Sequence, residues 1–83
     1  MFYVYVLRSI NDGRLYKGIT SDLKKRLQEH NSGKTRSTKA FIPWKIVYYE
    51  SFETRIEARS REKFFKSGIG REFLIKVISQ QNY

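Results

Sequence analysis

From Phe2 to Ser9 the chain alternates β-branched and aromatic residues, and Asn11-Asp12-Gly13 supplies turn chemistry before a second such run from Arg14 to Ile19. The pattern predicts a β-hairpin. The period then changes. Thr20-Ser21-Asp22 offers side chains suited to a helix start, and Leu23 and Leu27 follow at helical spacing, so a first helix should run to about His30 and stop at Asn31-Ser32-Gly33. The stretch "GKTRSTKAF" is polar and basic without periodicity and reads as an exposed loop, closed by Pro43. Trp44 to Phe52, "WKIVYYESF", is dense in strand formers and predicts a third strand. Glu53 or Thr54 opens a second helix through about Lys66, which Gly68 and Gly70 break. From Arg71 to about Ser79, Phe73, Leu74, Val77 and Ile78 fall at i, i+1, i+4 and i+5, which predicts a third helix. The expected architecture is an α/β fold of the α+β type: a small three-stranded sheet with helices packed on it, in the order ββαβαα.

Length and composition narrow the class. Eighty-three residues make one domain, 1–83, near the lower end of sizes that fold without staples, and 40% hydrophobic with 16% aromatic residues supply a core. The absence of cysteine excludes disulfides, thiolate zinc sites and cysteine nucleophiles, and fits a reducing compartment. The opening "MFYVYVLRS" has strand-like alternation and no small-residue cleavage site, so it does not read as a signal peptide. No apolar run approaches the ~20 residues of a membrane span, and the expected location is the cytoplasm. A net charge of +9, above the magnitude of ~2–8 that keeps a small domain soluble, points to a polyanion as partner. No segment sets a broad apolar face against an all-basic one, which argues against a membrane surface.

Helical wheels then separate candidate chemistry from solvated charge. Measured from Leu23, His30 falls at about −20° and Arg26 at about −60°, so His30 lies on the inward stripe of the first helix and Arg26 on its edge. On the second helix Glu62 lies about 40° from Ala58 and borders the apolar stripe, where a carboxylate must pair with a cation or bind a metal. Arg26, Arg59 and Arg61 are candidate partners. On the hairpin, Tyr5 shares a face with Tyr3 and Leu7, and Tyr16 with Gly18. Gly18 leaves room for a ligand or another backbone to approach Tyr16. Each residue alone has an ordinary explanation: a surface cation, a capping histidine, packing tyrosines, a structural ion pair.

Taken in order and at these spacings, the residues resemble the GIY-YIG nuclease domain, in particular small standalone bacterial proteins similar to the nuclease module of the bacterial excision-repair endonuclease. Tyr3-Val4-Tyr5 stands where the family has Gly-Ile-Tyr, and Tyr16-Lys17-Gly18 where it has Tyr-Ile-Gly. Arg26 follows ten residues after Tyr16, with His30 four beyond it, and "EARSREKFFKS" resembles the segment with the metal-binding glutamate, here Glu62. The likeness runs from Phe2 to about Ile78. It departs at Tyr3, where the family has glycine, and near the end, where Asn82 is the one candidate for an asparagine the family often carries; that role is not transferred.

The resemblance implies hydrolysis of DNA phosphodiesters with one divalent ion, Mg²⁺ or Mn²⁺, held by Glu62. A hard cation that keeps most of its waters needs few protein oxygens, so one glutamate suffices. Tyr5 is expected to take the proton from the attacking water, its phenolate favoured by nearby cations, while Tyr16 positions water and phosphate. Arg26 would stabilise phosphoryl charge, and His30 would bond the scissile phosphate or orient a tyrosine. Lys17, Lys34, Arg36 and Lys39 are the expected backbone contacts, and Gly18 the structural turn glycine. The implied partners are DNA, selected by structure, and a repair protein that supplies targeting. Competing readings are a non-catalytic nucleic-acid-binding module that keeps the fold, and a small basic RNA-binding protein. Glu62 discriminates, because a pure binder has no use for a carboxylate facing DNA.

Overall fold

A computed structural model describes residues 1–81 of the chain; Asn82 lies outside the described residues. Strands β1 (Phe2–Ser9) and β2 (Leu15–Thr20) form the hairpin, α1 (Leu23–Asn31) follows, then β3 (Trp44–Phe52), α2 (Arg55–Phe65) and α3 (Gly68–Gln80). The ββαβαα order and the three-stranded sheet are as the sequence predicts. The sheet order is β2-β1-β3 with both pairings antiparallel, so β1 is central.

That position explains the composition of β1. Its odd and even side chains point to opposite faces, and both faces are covered. Val4 and Val6 join Ala58, Phe65, Leu74 and Ile78 in a core beneath α2 and α3. Tyr5 and Leu7 join Trp44 in a second core that Tyr16, Leu23, Leu27 and Phe41 close from the α1 side. The molecule is thus layered, α1 on one face of the sheet and the α2–α3 pair on the other. No helix is long and apolar enough to cross a membrane among the described residues.

Local chemistry sets the helix ends. Asp22 caps α1 by accepting from the Lys25 amide, and Thr54 and Glu57 form a reciprocal capping box on α2. The third helix departs from expectation: it begins at Gly68, not Arg71, because Ser67 caps it by accepting from the Gly70 amide. The two glycines therefore belong to α3. Gly70 is buried where α3 crosses the end of α2, and a Cβ there would overlap the Phe64 carbonyl and lie 2.8 Å from Phe65 Cα. The loop after α1 also departs from expectation. Thr38 within it is fully buried, and Lys39–Phe41 form a 3₁₀ turn.

The two glycines predict opposite substitution effects. Gly70→Ala should destabilise by about 1–3 kcal/mol, since the clash is with backbone that cannot rotate away. At Gly68, where a Cβ meets nothing within 4 Å, alanine should stabilise by about 0.4–1 kcal/mol through the unfolded state. Urea unfolding of both variants measures the difference.

Candidate active site

Tyr5 of β1 stands opposite Gly18 of β2 in the hairpin register, and Leu7 opposite Tyr16. The phenol of Tyr5 lies across the Gly18 backbone, where a Cβ would come within 2.6 Å of Tyr5 Cζ. Two expectations change here. Gly18 sits within β2 and is no turn residue, and the room it leaves is filled by Tyr5 rather than held open beside Tyr16. The rings of Tyr5, Tyr16 and His30 then gather on the α1 face, Tyr16 lying 5.1 Å from His30 and 6.4 Å from Tyr5 between centroids.

A directional chain of hydrogen bonds runs through this cluster. Arg26 Nε donates to Tyr5 Oη at 3.3 Å, and Tyr5 Oη lies 3.0 Å from His30 Nε2. His30 Nδ1 is 2.8 Å from Thr38 Oγ1, whose hydroxyl donates to the Thr35 carbonyl at 3.3 Å. Because the Thr38 proton is committed to Thr35, its oxygen accepts from His30 Nδ1–H; this assigns Nε2 the lone pair, and Tyr5 donates to it. Arg26 is held from its other side by Glu29, Nη1 to Oε1 at 3.0 Å. The α1 wheel is as expected, with His30 its buried residue and Arg26 half-buried at the edge. Thr38 escapes a reading of the sequence because nothing in an aperiodic basic loop marks one threonine for burial; the Trp44 indole, donating to the Thr38 carbonyl at 2.9 Å, helps pin it.

Burial governs the protonation states. Tyr5, 2% exposed, has its pKa pushed up by loss of solvent more than the Arg26 hydrogen bond and charge pull it down, and the Glu62 charge adds to the rise. Arg26 pulls toward the phenolate as expected, but in the protein alone burial outweighs it and Tyr5 carries its proton at neutral pH. Burial and the Arg26 charge push His30 below the ordinary histidine range, so its ring is neutral and able to accept. With both nitrogens engaged inside the protein, His30 has none left for a phosphate.

Glu62 reaches this site from α2, near enough for its charge to be felt at Tyr5. Its ion partner is none of the expected arginines. Lys66, one turn on, binds Oε2 at 3.2 Å, whereas Arg61 turns to Glu50 at 2.8 Å and spreads over the rings of Phe64, Phe65 and Phe73. Oε1 of Glu62 has no hydrogen-bond partner among the described residues. The residues fit a single Mg²⁺ or Mn²⁺ at this carboxylate: it is partly exposed, has a free oxygen, and the hard ion completes its shell with water and substrate oxygens. Among the described residues no group of three or more His, Cys, Asp and Glu is gathered, so Glu62 would be the principal protein ligand.

The cations divide into two sets. Lys17 is half-buried on β2, and burial, then the charges of Arg71 and Lys66, lower its pKa. Lys66 and Arg71 thus stand near Lys17, and sequence reasoning misses both because the turn joining α2 to α3 sets their position. Lys34, Arg36 and Lys39 are exposed along the segment that Thr38 anchors behind His30, and no hydrogen bond joins them to Tyr5, Tyr16 or Glu62.

Comparison with known proteins agrees with the motif order. Residues 1–71 match the family model described as the GIY-YIG catalytic domain. A UPF0213 protein of Streptococcus agalactiae is 46% identical over 65 residues, 77% of this chain and 73% of the relative. One from Bacillus pumilus is 48% identical over 66 residues, 78% of this chain and 66% of the relative. The solution NMR structure of a UPF0213 protein from Bacillus halodurans is similar with a TM-score of 0.55 at 33% identity, over 93% of this chain and 85% of that one.

The depressed His30 pKa carries a prediction for stability. Below the ordinary value of 6.5 the unfolded chain binds a proton on His30 that the folded protein resists. Stability is therefore fully present above pH 6.5 and is lost as the pH falls below it, with a slope no steeper than about 1.4 kcal/mol per pH unit. Tm measured from pH 7.5 to 5 should fall toward acid, and His30→Gln should flatten that slope while lowering Tm throughout.

Proposed function

The chain belongs to the GIY-YIG catalytic-domain family, and from that premise we propose that it is a metal-dependent DNA endonuclease, selective for DNA structure and serving repair or recombination. The observation that carries the reading is the hydrogen-bonded run from Arg26 through Tyr5 to His30 and Thr38, with the charge of the Glu62 carboxylate felt at Tyr5. A packing cluster has no need of a guanidinium, two phenols and a neutral imidazole gathered on one face of the sheet within the field of a half-buried acid.

In this reading Tyr5 is the base through a relay. Its Oη takes a proton from the attacking water as its own proton passes to His30 Nε2, leaving a neutral phenol and an imidazolium. The water oxygen bonds to phosphorus, the bond to the leaving deoxyribose oxygen breaks, and solvent protonates that oxygen. His30 then returns its proton through Tyr5 to solvent. Thr38 holds the imidazole in the tautomer that receives at Nε2. Arg26, fixed by Tyr5 and Glu29, retains Nη2 for the phosphoryl oxygens, where charge grows in the transition state. Tyr16, half-buried and with a hydroxyl that makes no hydrogen bond among the described residues, positions water and phosphate. One divalent ion held by Glu62 would supply Lewis-acid stabilisation of the phosphate and a lowered pKa for bound water. Lys17, Lys34, Arg36 and Lys39 would hold backbone phosphates without reading sequence, and a repair protein would supply targeting.

The test is incubation with labelled single-stranded, nicked, flap and branched DNAs in Mg²⁺, Mn²⁺ or EDTA. Metal-dependent cleavage is expected, abolished in folded Glu62→Ala and lowered about 10²–10⁴-fold in Tyr5→Phe. Binding without cleavage across the panel would favour the non-catalytic module. In the active enzyme kcat/KM should fall off on the acid side of pH 6.5, the ordinary histidine value, because a protonated His30 can no longer receive from Tyr5. Full cleavage by Tyr5→Phe together with none by Tyr16→Phe would exchange the two tyrosine roles.

A further inference from the structure

The ion pair at the end of α2 has a use beyond stability. Lys66 Nζ binds Glu62 Oε2 at 3.2 Å, with the lysine side chain 56% exposed and the glutamate 18% exposed. A pair four residues apart whose lysine is largely in solvent is weak, so the lysine can be exchanged for another cation. The charges of Lys66 and Arg71 are both felt at Lys17, and neither Lys17 nor Arg71 has a carboxylate within ion-pair distance among the described residues. The carboxylate belongs to the site already described, as does Lys17 as a phosphate contact, whereas Lys66 and Arg71 have no role in it.

We propose that Lys66 is the resident counter-ion of Glu62 in the metal-free protein, and that a divalent ion displaces it onto a DNA backbone phosphate held jointly with Lys17 and Arg71. The inference rests on Glu62 as the metal ligand. Its physical basis is competition: a lysine and a divalent ion cannot both neutralise the same oxygen, and the lysine has a long exposed stem on which to swing. Once released, Lys66 has no counter-ion, and its charge and that of Arg71 both bear on Lys17, so the like charges repel one another. A phosphate relieves that repulsion by bridging them. Metal and DNA then bind with positive coupling, each favouring the arrangement the other requires.

The experiment uses the full chain. Mg²⁺ is titrated into ¹⁵N-labelled wild type, Lys66→Met and Glu62→Gln in the absence of DNA, the amide spectra serving also to show that each is folded. Wild type should show shifts centred on Glu62, Glu62→Gln should lose them, and Lys66→Met should bind Mg²⁺ about two- to fivefold more tightly, since it removes the weak competing pair. DNA affinity is then measured against salt in Mg²⁺ on a Tyr5→Phe background that spares the DNA. There, adding Lys66→Met should make the slope of log K against log salt shallower by about 0.9, one phosphate contact. Glu62-dependent Mg²⁺ binding that is unchanged or weaker in Lys66→Met overturns this inference and leaves the metal site standing. Tighter Mg²⁺ binding with an unchanged salt slope overturns it too, because Lys66 is then displaced without reaching phosphate. Identical titrations of wild type and Glu62→Gln overturn the metal reading and this inference with it.

Discussion

The hydrogen bond between the Tyr5 hydroxyl and His30 Nε2 holds the site face of the molecule together. It links the central strand to the helix that follows the hairpin across twenty-five residues of sequence. Both groups are almost wholly removed from water, where an unpaired polar atom costs about 1–3 kcal/mol. The remaining hydrogen-bonding capacity of each must then also be met. Tyr5 meets it with Arg26, and His30 with Thr38, which draws an otherwise polar loop beneath the sheet and against the Trp44 indole. Among the described residues no buried side-chain nitrogen or oxygen is left unpartnered, as a buried polar network requires if it is not to weaken the fold.

This network sets protonation states in a way that opposes simple intuition about cations. Arg26 touches Tyr5, yet desolvation prevails and the phenol keeps its proton, while the same burial discharges the histidine. The pair is therefore poised as donor and acceptor at neutral pH. Polarity is directed inward, away from the surface on which a phosphate would lie, and Tyr16 and Arg26 remain the more accessible members of the group.

Much of this is legible from residues alone, for identifiable reasons. Strand and helix periods are local, so the apolar and aromatic positions of the hairpin and the leucines of α1 announce themselves, as does the opening of α2 at Thr54. A wheel places Ala58, Glu62 and Phe65 together because angular spacing on a helix is fixed by geometry. Contacts between elements are not legible. Whether Glu62 meets Lys66 or one of three arginines depends on where those arginines are drawn, and Arg61 is drawn to Glu50 of β3, a strand whose place beside α2 no local pattern sets. The burial of Thr38 depends on His30 and Trp44 jointly. The start of α3 is hidden for a related reason: glycine ordinarily interrupts a helix, whereas Gly70 is needed for the close crossing of two helices.

The overlap of Tyr5 with Gly18 ties two positions that lie thirteen residues apart into a single unit of variation. Glycine is required at position 18 by the volume of a neighbour's ring, with no demand from its own backbone angles. A lineage that exchanged the tyrosine for a small residue would open a hole above the strand and release position 18 to carry a side chain again. One that gained a side chain at 18 first would expel the phenol from its seat. The order in which such a pair could drift is thus constrained: the ring must go before the glycine does, and a protein that still holds both has taken neither step.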